Sequence, residues 1–233
     1  MDYTPKSARE YIENKDHLGF LVQRDLPGLL QRYVQTGTNT LDYGCGPGMM
    51  IPLLQASGFQ VEGMDISPEM LSEALKRNKR IAFTHIDSAN IPRSDNSYDL
   101  AMLSYVLLEM ASKEEMLPVL EEIFRVLKPG GILVSVTASE EKYKYDWLVV
   151  DNDFPDNRVL TSGSPVKLRL KGSTLTFHDY FWFDSDDREV FSKAGFTLLE
   201  RHQPLGRIED GMPWKDEMTF PLNSIYVLEK EQL

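Results

Sequence analysis

Apolar and polar residues alternate along this chain in two different rhythms, and the switch between them divides it. Leu18, Leu21, Val22, Leu26, Leu29, Leu30 and Val34 recur at helical spacing, so residues 6–35 read as two helices. Pro27 is expected to break or restart the second of them. A compact apolar run then predicts a strand over 39–43, followed by a helix over 47–57 and a strand over 60–65. Ser67 followed by Pro68 opens a helix over 68–79, with a side-chain acceptor at the cap and a proline at the first position. A strand over 81–86, a loop containing Pro92 and a strand over 98–104 come next. The helix over 113–127 follows Ser112 and places Glu114 and Glu115 at its positive end. Lys128-Pro129-Gly130-Gly131 reads as a stop and turn before a strand over 132–138. Strand–helix alternation of this kind predicts a parallel sheet covered by helices on both faces. Right-handed crossovers put its ligand site at the carboxyl ends of the strands.

Beyond residue 138 the rhythm changes. Residues 139–183 read as an insertion, in which Val166-Lys167-Leu168-Arg169-Leu170 and Leu175-Thr176-Phe177 flank the turn signal Lys171-Gly172-Ser173 and predict a β-hairpin. A helix over 185–194 and strands over 196–202 and 223–229 would complete a seven-stranded sheet.

The chemistry concentrates in Leu41-Asp42-Tyr43-Gly44-Cys45-Gly46-Pro47-Gly48, a buried strand that runs into a glycine-rich turn. Alternate glycines let the backbone bend sharply and let a ligand approach where a Cβ would collide. Asp65 stands at the end of the next apolar run, where a carboxylate can accept hydrogen bonds from ribose hydroxyls. The spacing is G-x-G-x-G, and Met49 occupies the place of the third dinucleotide glycine. No lysine follows the turn, as a triphosphate-binding loop would need. Turn and acid together suit a nucleoside without phosphates.

Four ordered segments resemble the class I S-adenosylmethionine-dependent methyltransferases, in particular their small-molecule branch. They are the glycine turn, Val61-Glu62-Gly63-Met64-Asp65-Ile66-Ser67-Pro68-Glu69-Met70-Leu71, His85-Ile86-Asp87-Ser88-Ala89 and Arg125-Val126-Leu127-Lys128-Pro129-Gly130-Gly131. The resemblance spans roughly residues 40–136. It implies an α/β fold with a Rossmann-like, doubly wound seven-stranded sheet, mostly parallel with an antiparallel last strand. A small β-hairpin insertion and N-terminal helices would complete it. One methyltransferase domain over 1–233 is expected: a helical cap (1–36), a cofactor-binding core (37–138), a substrate-side insertion (139–183) and the end of the sheet (184–233). The implied cofactor is S-adenosyl-L-methionine. Gly44, Cys45, Gly46 and Gly48 would lie against its methionine and ribose part, Cys45 through packing or its backbone. Asp65 would bind the ribose hydroxyls, Ile66 would pack on the adenine, Asp87 would accept from the adenine amino group and the Ser88 backbone would read the ring edge. Leu103 holds the place where relatives offer a carbonyl to the cofactor's amino group, and Tyr11 resembles the early tyrosine that closes over it.

On the acceptor side, Glu109 sits where many relatives carry a histidine, and His178 lies in the aromatic segment 177–183; both are candidate general bases. Alternation along that segment would point Asp179 to the face opposite His178. Tyr105, Trp147, Tyr180 and Trp182 are the candidate substrate-binding residues, because aromatic density in an inserted segment suits a small organic acceptor or a cation against a π face. The same aromatics would equally serve as a cover for the sheet edge.

Composition narrows the alternatives. A net charge of −11 argues against nucleic acid, and the one dense basic run, Lys76-Arg77-Asn78-Lys79-Arg80, complements a helix C-terminus. One cysteine excludes an internal disulfide, and the four histidines are scattered without metal-ligand spacing. No stretch of 18 apolar residues exists and the first residues lack a signal-peptide core, so a cytoplasmic protein with no membrane association is expected. An RNA or protein methyltransferase, a non-catalytic cofactor-binding protein and a homodimer remain open at this stage.

Overall fold

A computed structural model describes residues 19–35, 37–173 and 176–231. Helix α1 (Phe20–Tyr33) precedes β1 (Asn39–Tyr43), α2 (Ile51–Ala56), β2 (Gln60–Asp65), α3 (Pro68–Arg77), β3 (Ala82–His85) and β4 (Tyr98–Ser104). Then follow α4 (Lys113–Val126), β5 (Leu127–Ala138), β6 (Val150–Asp151), β7 (Ser164–Leu170), β8 (Thr176–Phe181), α5 (Asp184–Lys193), β9 (Phe196–His202) and β10 (Asn223–Lys230). Seven strands form one sheet in the order β3-β2-β1-β4-β5-β10-β9. The strands from β3 to β5 pair in parallel, and β10 is antiparallel to both β5 and β9. The strand order reverses between β1 and β4, so the carboxyl ends of those two parallel strands open a crevice.

Period-two alternation builds a core on each face of this sheet. Along β4, Leu100 and Met102 face α1 and α2, where Val22, Leu26, Leu29, Leu30 and Leu54 cover them. Ala101 and Leu103 face the other way, against Met116, Val119, Leu120 and Ile123 of α4 and Val190 and Phe191 of α5. Pro27 does not break α1, which runs uninterrupted through it. Five buried apolar side chains on one face of that helix, at about 1.5–3 kcal/mol each, outweigh the cost of roughly 3 kcal/mol for an internal proline. The proposed helix over 6–17 lies outside the described residues.

Three further differences from the sequence reading have local causes. The helix expected from residue 47 begins at Ile51, because Gly48 takes φ +73° and the turn is still closing. Lys128-Pro129-Gly130-Gly131 follows the end of α4, as expected, but lies inside β5 as a bulge rather than before it: Tyr98 pairs with Leu127 and Leu100 with Ile132. The hairpin of the insertion gains a third strand, β6, giving a separate antiparallel sheet β6-β7-β8. Its core is built by Tyr143, Trp147, Val166, Leu168, Phe177 and Phe181. This small sheet is anchored beside the carboxyl end of β4, where β8 packs on the 3-10 turn Leu107–Glu109. Trp182 Nε1 also donates to the Met110 carbonyl at 3.3 Å. No helix of the described residues is long and apolar enough to cross a membrane.

Candidate functional site

At the tip of β1 the chain turns through Gly44 at φ +64°, where an added Cβ would stand 2.4 Å from Val106 Cγ2. Only glycine admits both that backbone and that close approach. Gly46 N–H donates to Asp65 Oδ2 at 2.7 Å, and Ser67 N–H donates to Oδ1 at 2.8 Å. The carboxylate is thus clamped between the first turn and the start of α3, whose cap Ser67 also accepts from Met70 N–H. Burial holds Asp65 above its ordinary carboxylate range, and the backbone N–H groups of Ser67, Gly46 and Ile66 oppose that shift. Each oxygen keeps lone pairs beyond these bonds, which is what a ribose diol requires.

These groups line a cavity of about 140 Å³. Ile66 lies on its wall and is 59% exposed, an apolar surface left open at the cavity. Ile86 and Ser88 form the facing wall, and the Tyr43 hydroxyl donates to the Ser88 carbonyl. Burial pushes the Tyr43 phenol up to about 12, so it stays a donor and fixes the 86–88 loop. The other end is closed by Ser104, Tyr105, Glu109 and Met110. Tyr105 holds φ +61°, rare for a residue with a Cβ and of the kind that clusters at functional sites. Its N–H is tied to the Val136 carbonyl at 2.8 Å, and Lys142 Nζ stands 5.5 Å from the centre of its ring. An acidic cradle for a diol, an apolar wall for a base and a turn without phosphate-binding cations fit S-adenosylmethionine.

The structure therefore brings Gly44, Gly46, Asp65, Ile66, Ser88, Tyr105 and Glu109 to one cleft. Other predicted positions border the cleft or lie away from it. Cys45 turns its thiol under the loop towards Gly63, where burial pushes it well up, and the residue lines a smaller void that shares Gly44, Gly46, Pro47, Ser104 and Tyr105 with the cleft. Gly48 meets α3 rather than the cleft: a Cβ there would stand 2.5 Å from Asn78 Nδ2. That contact performs the helix-packing task of a third glycine. Leu103 is fully buried between Tyr43 and Ser135, in the sheet, and its successors Ser104 and Tyr105 reach the cavity instead. Asp87 is exposed between the two wall residues Ile86 and Ser88. Tyr11 lies outside the described residues.

On the insertion, Trp147 is fully buried and donates Nε1–H to the Lys142 carbonyl at 2.7 Å, so it is core of the small sheet rather than wall of the cavity. Alternation in β8 turns Phe177, Asp179 and Phe181 inward and leaves His178 exposed opposite Lys167. Tyr180 shares the outer side with His178, and Trp182 reaches Met110 at the cleft's rim. Sequence reasoning passed over two buried charged residues, Lys142 at 4% and Asp179 at 7% exposure. Burial pushes the Asp179 carboxyl up to about 6, against the pull of Lys142 and with a further push from Glu109. The strand alternation signalled the inward side of Asp179; nothing in the charged run 140–144 signals a buried lysine.

Residues 40–131 match the family model described as a methyltransferase domain. The chain is 35% identical over 181 residues to the demethylmenaquinone methyltransferase of Staphylococcus haemolyticus, covering 72% of each. It is 27% identical over 171 residues to the N-demethylindolmycin N-methyltransferase of Streptomyces griseus, covering 70% of this chain and 72% of that one. Among solved structures, a methyltransferase from Methanosarcina mazei superposes with a TM-score of 0.66 at 19% identity, over 88% of this chain and 98% of that one. Magnesium protoporphyrin IX methyltransferase from Synechocystis, solved with bound S-adenosylmethionine, gives 0.59 at 18% identity over 92% and 81%. The structural likeness establishes the fold and the sequence likeness the family. The chain belongs to the class I S-adenosylmethionine-dependent methyltransferases, enzymes whose cofactor is S-adenosylmethionine.

Proposed function

We propose that the enzyme methylates a small organic acceptor held at the Tyr105–Glu109–Met110 end of the cleft. The observation that carries this reading is the continuity of one cavity from the Asp65–Ile66 cradle to that end, where the small sheet leans over it through Trp182. Relatives named for demethylmenaquinone, N-demethylindolmycin and the malonyl group of an acyl-carrier protein agree with a small acceptor group. The net charge of −11 does not favour a nucleic-acid substrate.

When bound, the cofactor supplies a methyl group already activated on a sulfonium. The protein's share is then position, dryness and proton management. Asp65 holds the ribose hydroxyls, Ile66 and Ile86 enclose the base, and Tyr43 keeps the 86–88 loop in place. Tyr105, fixed in an unusual backbone conformation, holds the wall of the acceptor end in one geometry. Orientation of this kind contributes roughly 7–11 kcal/mol to such displacements. Glu109, on the 3-10 turn inside the cleft, anchors the acceptor or receives its proton; His178, on the outer face of β8, takes no part.

Calorimetric titration with S-adenosylhomocysteine and NAD in parallel, followed by methyl-transfer assays over small amines, phenols and carboxylic acids, tests this reading. Binding of the sulfur nucleoside alone, with turnover of a small acceptor, is expected. Turnover confined to RNA or protein acceptors would overturn it.

A further inference from the structure

The support behind Asp65 comes from the edge of the sheet. β3 is an edge strand, and its last residue, His85, stands opposite Asp65 in the parallel register with β2. His85 is exposed and is not part of the cleft wall. Its ring Nε2 nevertheless lies 3.0 Å from the Ile66 carbonyl. A carbonyl oxygen only accepts, so Nε2 carries the hydrogen of that bond. The next residue, Ile86, donates its N–H to the Asp65 carbonyl at 3.1 Å. Two successive residues at the end of β3 therefore hold two successive carbonyls of the elbow between β2 and α3.

The Ile66 carbonyl and the Ser67 N–H belong to one peptide unit, and a peptide unit is planar. Its oxygen is held by His85, and its N–H donates to Asp65 Oδ1 at 2.8 Å. The orientation of that plane sets where one oxygen of the Asp65 carboxylate lies, while Gly46 N–H fixes the other at 2.7 Å. A donor on the carbonyl also polarises the amide and strengthens the bond that its N–H makes. Ile66, whose side chain stands on the cleft wall, is oriented by the same plane. The electrostatics agree: burial raises the Asp65 carboxyl, the backbone N–H groups lower it, and the His85 imidazole adds to the lowering.

We propose that His85 is a positioning residue of the cofactor site: through the Ile66–Ser67 peptide it holds the Asp65 carboxylate in the geometry that accepts the ribose hydroxyls. This rests on the assignment of Asp65 to the ribose. His85 acts through the backbone alone, from outside the cleft.

Calorimetry with S-adenosylhomocysteine on the parent, His85→Ala, His85→Asn and His85→Gln tests this. A glutamine side chain can place its amide nitrogen where Nε2 stands, whereas an asparagine is too short and matches Nδ1. Affinity should fall about three- to ten-fold in His85→Ala and His85→Asn, the share of one hydrogen bond, and stay within about two-fold of the parent in His85→Gln. In the free protein, the Ser67 amide should exchange its hydrogen about three-fold or more faster in His85→Ala, as measured by NMR, and return towards the parent rate in His85→Gln. Asp65→Ala removes the group through which His85 acts, so adding His85→Ala to it should weaken binding by less than about two-fold more.

A thermal melt shows that each variant folds. Position 85 is exposed, so the His85 variants should melt within about 2 °C of the parent. A His85→Ala variant with parental affinity, or asparagine and glutamine variants that bind alike, overturns the proposal. So does a Ser67 amide whose exchange does not respond, or a loss in the Asp65→Ala background as large as in the parent. Asp65→Ala with parental affinity would strike the ribose assignment itself, and the proposal with it.

Discussion

Asp65 and Asp187 are both buried carboxylates held above their ordinary range, and their neighbours give them opposite consequences. Asp65 is clamped by backbone N–H groups on the wall of a cavity, and it keeps lone pairs beyond those bonds. Asp65→Ala should weaken S-adenosylhomocysteine binding by about 1.5–3 kcal/mol, the scale of charge-assisted hydrogen bonds, measured by calorimetry. An unchanged affinity would remove the ribose assignment. Asp187 lies beneath the sheet, 3% exposed, where burial and the nearby Asp184 and Asp186 push it up to about 7, while the Tyr226 hydroxyl and Arg201 oppose them. The folded state therefore binds this proton more tightly than the unfolded chain does. Its stabilising effect is complete below the ordinary carboxylate value and disappears as pH rises towards about 7. Asp187→Asn, which cannot ionise, should melt near the parent at pH 4 and several degrees above it at pH 8, at about 2–4 °C per kcal/mol. A melting difference that stays flat between those pH values would contradict the assignment.

At the scale of elements, the glycine turn shows how a ligand site is also a packing site. Gly44 admits Val106, which follows β4 and lines the cleft, while Gly48 admits the end of α3. Gly44→Ala places a Cβ against Val106 and in a left-handed backbone, so cofactor affinity should fall. Val106→Ala in the same chain should recover the share that comes from collision and leave the share that comes from backbone strain, of order 1 kcal/mol. Calorimetry on the two single variants and the double separates these contributions. Full recovery would mean that the backbone conformation costs nothing.

Across the whole molecule, the small sheet and the seven-stranded sheet are joined by a few buried polar ties. Glu217 is fully buried in the segment before β10, and it accepts from Leu148 N–H at 2.6 Å and Lys215 N–H at 2.9 Å. Removing it strands two backbone donors. Glu217→Ala should therefore lower stability by about 2–5 kcal/mol, seen as a fall in denaturation midpoint. Trp182, donating to Met110 across the cleft's rim, is a second tie, and it links the insertion to the Met110 end of the cleft directly.

Much of this architecture was legible before any coordinates. The strands and helices of the cofactor-binding half follow from apolar periodicity, and the turn with Asp65 follows from glycine spacing, because both are local properties of the chain. Pro27 inside α1 and the bulge at 128–131 were not legible, since tertiary burial and strand pairing overrode the local breaking signals. The site divides in the same way. Asp65, Gly44 and Gly46 could be named from their positions after strands, where the βαβ crossover forces them together. Trp147 looked like a ligand contact by residue type, but which side of a sheet or loop a side chain occupies depends on what packs there. Lys142, Asp179 and Glu109 lie 33 to 70 residues apart in sequence. Their meeting is decided only by how β8 docks on the 107–109 turn, a long-range contact that no local pattern encodes.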